Sequence, residues 1–189
     1  YADAIAVLER AVSLDPLGMR AFHNLGSAYV RSGNTENGRR LLAVAARLSA
    51  QERRIDMLKD GIQRRPEDAQ LFYNLAVLYG QRGELASARL KYEQALARDP
   101  SLAAAYHNLA NLHLREHQVA RAAELYSQAV AADSGYALAH DGLGNVYMLQ
   151  KQYGRALAAY QRALALEPGS AEYRRRVALA ERHVVAGRP

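Results

Sequence analysis

The chain has no cysteine and no tryptophan, only two phenylalanines, and lysine at just three of its 25 basic positions. Without cysteine, disulfides, thiolate metal sites and thiol nucleophiles are excluded, although the compartment stays open. No apolar run approaches the roughly 18–20 residues of a membrane span; the longest, residues 41–46, falls far short. A soluble chain of the cytoplasm or periplasm is therefore expected. Half of the residues are nonetheless apolar, many of them alanine, and tyrosine carries the aromatic load with 12 copies. The formal charge is +6, and arginine supplies most of it. The arginines spread along the chain, often one helical turn from an acid, as in Asp60 and Arg64. That pattern predicts solvated outer faces, and nucleic acid is not expected as a partner.

What is present is repetition. Residues 69–102, 103–136 and 137–170 follow one another without a gap, and Leu75, Leu109 and Leu143 stand 34 residues apart, with Val177 continuing the column. A fixed period of this length marks a stacked solenoid, in which each unit buries its apolar face only against its neighbour. In residues 69–102 the first half is apolar at Phe72, Leu75, Ala76 and Tyr79, a helical spacing that Gly83 ends. The second half is apolar at Leu85, Ala88, Tyr92, Ala95 and Leu96, and Pro100 stops it. The unit is two antiparallel helices joined by a tight turn. Alanines recur where such helices cross closely (Ala88, Ala122, Ala156; Ala95, Ala129, Ala163), and Tyr92, Tyr126 and Tyr160 fill the space between repeats.

The order of these residues resembles the tetratricopeptide repeat. Phe72, Leu75, Ala76, Tyr79, Ala88, Tyr92 and Pro100 match its signature, as do His140, Leu143, Gly144, Tyr147, Ala156, Tyr160 and Pro168. His113 and Ser134 depart from it, at a usual tyrosine and a usual proline. Within the family the array is most similar to bacterial ones and to those of O-linked N-acetylglucosamine transferases. The resemblance implies an all-α fold, a right-handed superhelical solenoid of antiparallel helix pairs. Residues 1–18 would be the second helix of a truncated repeat, whose exposed stripe of Ile5, Leu8 and Val12 predicts that a longer chain or a complex covers it. Residues 19–68 form an irregular repeat, because Leu25 and Leu75 lie 50 residues apart instead of 34. Leu41, Leu48, Ile55 and Ile62 recur every seven residues, so one over-long or inserted helix is expected at about 36–64. A split into two helices at a capping box of Ser49 and Glu52 is the competing reading. A C-terminal capping helix over 171–189, apolar at Tyr173, Val177, Ala180 and Val184 and ended by Gly187, would present Arg174, Arg175, Arg176, Glu181 and Arg182 outward.

At 100° per residue, Gln70, Asn74, Val77 and Gln81 point away from the buried face of their helix. In a tetratricopeptide superhelix that side resembles the concave groove that holds extended peptides or partner helices. Carried along the chain, this groove is expected to comprise Arg20, His23, Asn24, Arg31, Gln70, Tyr73, Asn74, Val77, Gln81, His107, Asn108, Asn111, Arg115, Leu138, Asp141, Asn145 and Leu149. Asn24, Asn74 and Asn108 share one column, with Asn111 and Asn145 one turn on. Asparagine is a mediocre helix former, so its recurrence needs a reason. One reason is a ladder of carboxamides that bonds a bound peptide's backbone, similar to that of the glycosyltransferase arrays. The other is bonding between neighbouring repeats. Leu138, Asp141, Met148 and Leu149 are expected to stand exposed toward the end of the groove, as an apolar anchor point. The two-carboxylate clamp of some relatives could begin at His107 and Asn111, but Gly142 and Glu172 break it.

No catalytic constellation recurs. His113 and His117 have the spacing of a metal pair but occupy a core column and a turn, with no third ligand. Asp141-Gly142-Leu143-Gly144 lies within a helix, so its glycines serve packing and cradle no phosphate. No metal and no cofactor are expected. The sequence predicts a non-catalytic scaffold or assembly subunit that binds a peptide, helix or tail of another protein. The alternative is the substrate-recruiting array of a larger enzyme, for example a glycosyltransferase, whose catalytic domain lies outside these residues.

Overall fold

The computed structural model describes residues 1–186, so the expected stop at Gly187 lies outside the described residues. Those residues form ten α-helices and no strand, and divide into two compact units. The first unit, Tyr1–Arg64, holds α1 (Ala2–Leu14), α2 (Met19–Arg31) and α3 (Thr35–Arg64). The second begins at Arg65 and holds α4 (Ala69–Gln81), α5 (Leu85–Arg98), α6 (Ala103–Arg115), α7 (Val119–Ala132), α8 (Ala137–Leu149), α9 (Tyr153–Leu166) and α10 (Ala171–Ala186). Within each unit, consecutive helices pack against one another.

In the first unit α1 buries no residue. Tyr29 of α2 ties to it by donating its hydroxyl to Glu9 at 2.5 Å. α3 is a single helix of 30 residues, with Gly38, Ala45, Leu48 and Ile55 buried. Ser49 caps no second helix there; its hydroxyl accepts a hydrogen bond from Arg53 at 2.6 Å. α2 and α3 cross closely at Gly26 and Gly38, where a side chain on either would meet the other's backbone within 3.0 Å. That crossing is close enough to exclude even alanine.

In the second unit the apolar columns form the core. Ala88, Ala95, Ala122, Ala129, Ala156 and Ala163 are all fully buried, and Leu75, Leu109, Tyr92, Tyr126 and Tyr160 are nearly so. Each buried leucine contributes roughly 2 kcal/mol through the apolar area it removes from water. The Arg98 guanidinium stands over the Phe72 ring, 3.9 Å from its centroid, and donates Nε to the carbonyl of Pro66 at 2.5 Å. Turns between repeats share one device: the carboxylates of Asp15, Asp99 and Asp133 accept from the backbone N–H two residues on, at 3.1, 2.9 and 2.8 Å. This side-chain turn is what favours aspartate after a helix.

The tight turn inside each repeat needs a left-handed residue. Gly33 and Gly83 supply it at φ +89° and +79°, but His117 and Lys151 adopt φ 60° and 59° at the matching positions. A non-glycine residue there strains against its own carbonyl by about 1 kcal/mol. Lys151→Gly is therefore expected to raise the free energy of unfolding by about 0.5 kcal/mol in a urea titration, after the added freedom of the unfolded chain is subtracted.

Candidate functional site

The expected groove residues fall into the two units, and each unit brings its own members together. In the first, Arg20, His23 and Asn24 line a mainly apolar pocket of about 560 Å³ with Met19, Leu42, Ala45, Ala46 and Ser49. His23, Asn24 and Arg31 border a second opening, with Tyr1, Ala4, Ser27 and Ala28. In the second unit Gln70 and Gln81 are exposed, while Tyr73, Asn74 and Val77 are half-buried on the same face of α4. His107, Asn108 and Asn111 are half-buried on α6, and Arg115 is exposed at its end. α6 packs directly on α8, which carries Leu138, Asp141, Asn145 and Leu149.

The asparagines divide into two kinds. Those of the first column bond along the face: Asn74 accepts from Gln70 Nε2 at 3.0 Å, and Asn108 donates to the Tyr73 hydroxyl of the preceding repeat at 3.2 Å. Asn108 also bonds Tyr92, whose hydroxyl burial pushes far above the ordinary phenol range. Those of the second column hold a tyrosine of their own repeat. Asn111 accepts from Tyr126 at 2.5 Å, and Asn145 from Tyr160 at 2.8 Å. Asn111 also donates to His107 Nε2 at 2.9 Å, which requires that nitrogen unprotonated. Burial favours this neutral imidazole by pushing the His107 pKa down.

Asp141 is the one charged side chain among the buried described residues, at 8% exposed. This corrects the expectation that it stands exposed beside Leu138 and Leu149, which are 43% and 60% exposed. The cause is Arg176. Its guanidinium reaches back from α10 to Asp141 Oδ2 at 2.9 Å, to Glu172 Oε1 at 2.5 Å and to Asn145 Oδ1. The expectation that Arg176 points outward is corrected with it: the side chain is half-buried and paired inward. The signal lay in the period itself, because Arg176 continues the column of Asn74, Asn108 and Gly142. Despite that cation, burial pushes the Asp141 carboxyl up to about 6, with Glu172 adding to the rise and Arg176 and Asn145 opposing it.

Around these groups lies a cavity of about 390 Å³. It is lined by His107, Asn111 and Tyr126, by Leu138, Asp141, Gly142 and Asn145 of α8, and by Glu167, Ser170, Glu172, Tyr173 and Arg176. Gly142 and Gly144 stand in a helix and lend it no phosphate cradle; a Cβ on either would lie 2.3 Å from the ring of Tyr126 or Tyr160. His113 donates Nδ1 to Gln118 at 2.5 Å across the turn that His117 makes, so the two histidines serve a helix end. Among the described residues no three metal-ligating side chains gather, and no helix is long and apolar enough to cross a membrane.

Comparison with known proteins agrees with this architecture. Tetratricopeptide repeat families match residues 1–53 and 55–103, residues 91–124 and residues 137–170. The sequence finds no match among curated proteins. Among solved structures, the crystal structure of MamA protein superposes with a TM-score of 0.60 at 19% identity, covering 87% of this chain and 81% of that one. The first tetratricopeptide repeat domain of Spaghetti (RPAP3), bound to the HSP90 peptide SRMEEVD, gives 0.59 at 22% identity over 62% of this chain and 94% of its own. The APC/C hetero-tetramer Cut9-Hcn1 gives 0.59 at 17% identity, covering 95% of this chain and 39% of that one. With the repeat matched over more than half its length and its packing columns filled as described, the chain belongs to the tetratricopeptide repeat family.

Proposed function

We propose that the chain is a non-catalytic protein-interaction scaffold and that the inner faces of α4, α6 and α8 hold a peptide, helix or tail of a partner protein. The fold is typically an interaction module, and a relative of the same fold was solved with a peptide bound. The observation that carries the reading is the row from Gln70 to Leu149. It joins exposed Gln70, Gln81, Leu138 and Leu149 to half-buried amides and Tyr73, and ends in a polar cavity. Interfaces of this kind combine a few apolar anchors with directional polar groups.

Site-specific photo-crosslinking tests it. A benzoylphenylalanine at Leu138 is expected to trap a co-purifying protein from cells, whereas one at Leu90 on α5, which at 52% is the more exposed of the two, is not. Equal yields from both positions would remove the inner face from the proposal.

A further inference from the structure

We infer that the cavity between α8 and α10 receives the side chain of a lysine from the partner protein, with Asp141 Oδ1 as its buried acceptor. This rests on the reading that the inner face holds a partner chain, and it names the chemistry at one end of that face. Asp141 lines the cavity; its Oδ2 is engaged by Arg176 and, weakly, by Asn145 at 3.4 Å, but Oδ1 is buried without a hydrogen-bond partner. A buried acceptor of this kind requires a donor. The charge of the wall says which kind: Asp141, Glu167 and Glu172 face a single guanidinium. The locality is anionic although the whole chain carries +6.

An acidic ligand does not fit. The guanidinium that would hold it is already bonded to Asp141, Glu172 and Asn145. One lone acceptor atom suits the compact ammonium of lysine better than the planar fork of arginine, which asks for two. Leu138 at the rim and the rings of Tyr126 and Tyr173 offer apolar surface to the four-carbon stem.

The test is a nuclear magnetic resonance titration of the full chain with two small probes, N-acetyl-lysine methylamide and N-acetyl-norleucine methylamide. They share backbone amides and an aliphatic stem, and only the first carries an ammonium. The lysine probe is expected to shift the amides of Asp141, Asn145 and Glu172 saturably, and Asp141→Asn to weaken it about tenfold, as loss of a charge-assisted bond should. Equal shifts with norleucine, no saturable shift with lysine, or an unchanged affinity in Asp141→Asn would each overturn the inference. Crosslinking from Leu138 separates the two levels: a partner trapped there while lysine fails leaves the scaffold reading standing and removes this one alone.

Discussion

Replacing Asp141 by asparagine is expected to raise, not lower, the free energy of unfolding at neutral pH. The sign follows from linkage. In the unfolded chain the carboxyl titrates near 3.8, whereas in the folded chain burial, the largest influence, pushes it up to about 6. The folded state therefore holds its proton more tightly. Its contribution is fully present below the unfolded value and is lost as pH rises from about 4 to about 6. Above that window the ionised form costs the fold roughly 3 kcal/mol. Beside burial, the groups that set this are Arg176 and Glu172 from α10 and Asn145 on the same helix; the neutral side chains of His107 from α6 and Tyr126 from α7 line the same cavity. Asparagine keeps the shape and removes the charge, while Arg176 retains Glu172 as its counter-ion. Thermal melts between pH 4 and pH 8 should show the wild type losing stability as pH rises and the variant staying nearly flat. A variant less stable than wild type at neutral pH would show that the Asp141–Arg176 pair outweighs the burial penalty. A side chain that lowers stability where it stands is a common mark of a position kept for binding.

The second large effect is expected at Gly142. Alanine is the better helix former by about 1 kcal/mol, so an exposed mid-helix glycine would gain from the change. Here the added methyl would lie 2.3 Å from Tyr126 Cε1, and Tyr126 is only 1% exposed with its hydroxyl fixed on Asn111. The ring cannot swing aside without breaking that bond or opening the core. The burial that traps it also pushes its hydroxyl up to about 12. Overpacking of this kind costs typically 1–3 kcal/mol, and Gly142→Ala should lose about 2 kcal/mol net in chemical denaturation. Combining it with Tyr126→Leu gives the decisive comparison. The double variant should lose less than the sum of the two single ones, because the ring that the methyl meets is gone. Strict additivity would place the damage elsewhere.

How far the sequence alone reaches can be read from particular residues. The 34-residue spacing of Leu75, Leu109 and Leu143 led directly to buried leucines, because a column that must pack in every repeat repeats its chemistry. The long α3 was legible from a seven-residue spacing and the lack of proline or glycine over its middle. The competing split failed because Ser49 had a nearer use, as acceptor for Arg53. Polar positions were harder. Asparagine in mid-helix was visible as a signal, but its partners were not: Asn111 and Asn145 face tyrosines 15 residues away, a distance at which helical periodicity is silent. Arg176 was hidden by its company, since a run of three arginines reads as a solvated face. Only by following the repeat one step past its last full copy does that residue fall into line with Asn74 and Asn108.

The division of labour between the two asparagine columns has a consequence for the order of the copies. Tyr92 has Val77 where Tyr126 and Tyr160 have Asn111 and Asn145, and it finds its carboxamide instead on the following repeat, at Asn108. Excising residues 103–136 would splice Tyr92 against Gly142, leaving a hydroxyl enclosed beside a residue that cannot answer it. Equal length does not make these modules interchangeable: Tyr92 carries the address of the copy that must come next, whereas Tyr126 and Tyr160 are answered inside their own.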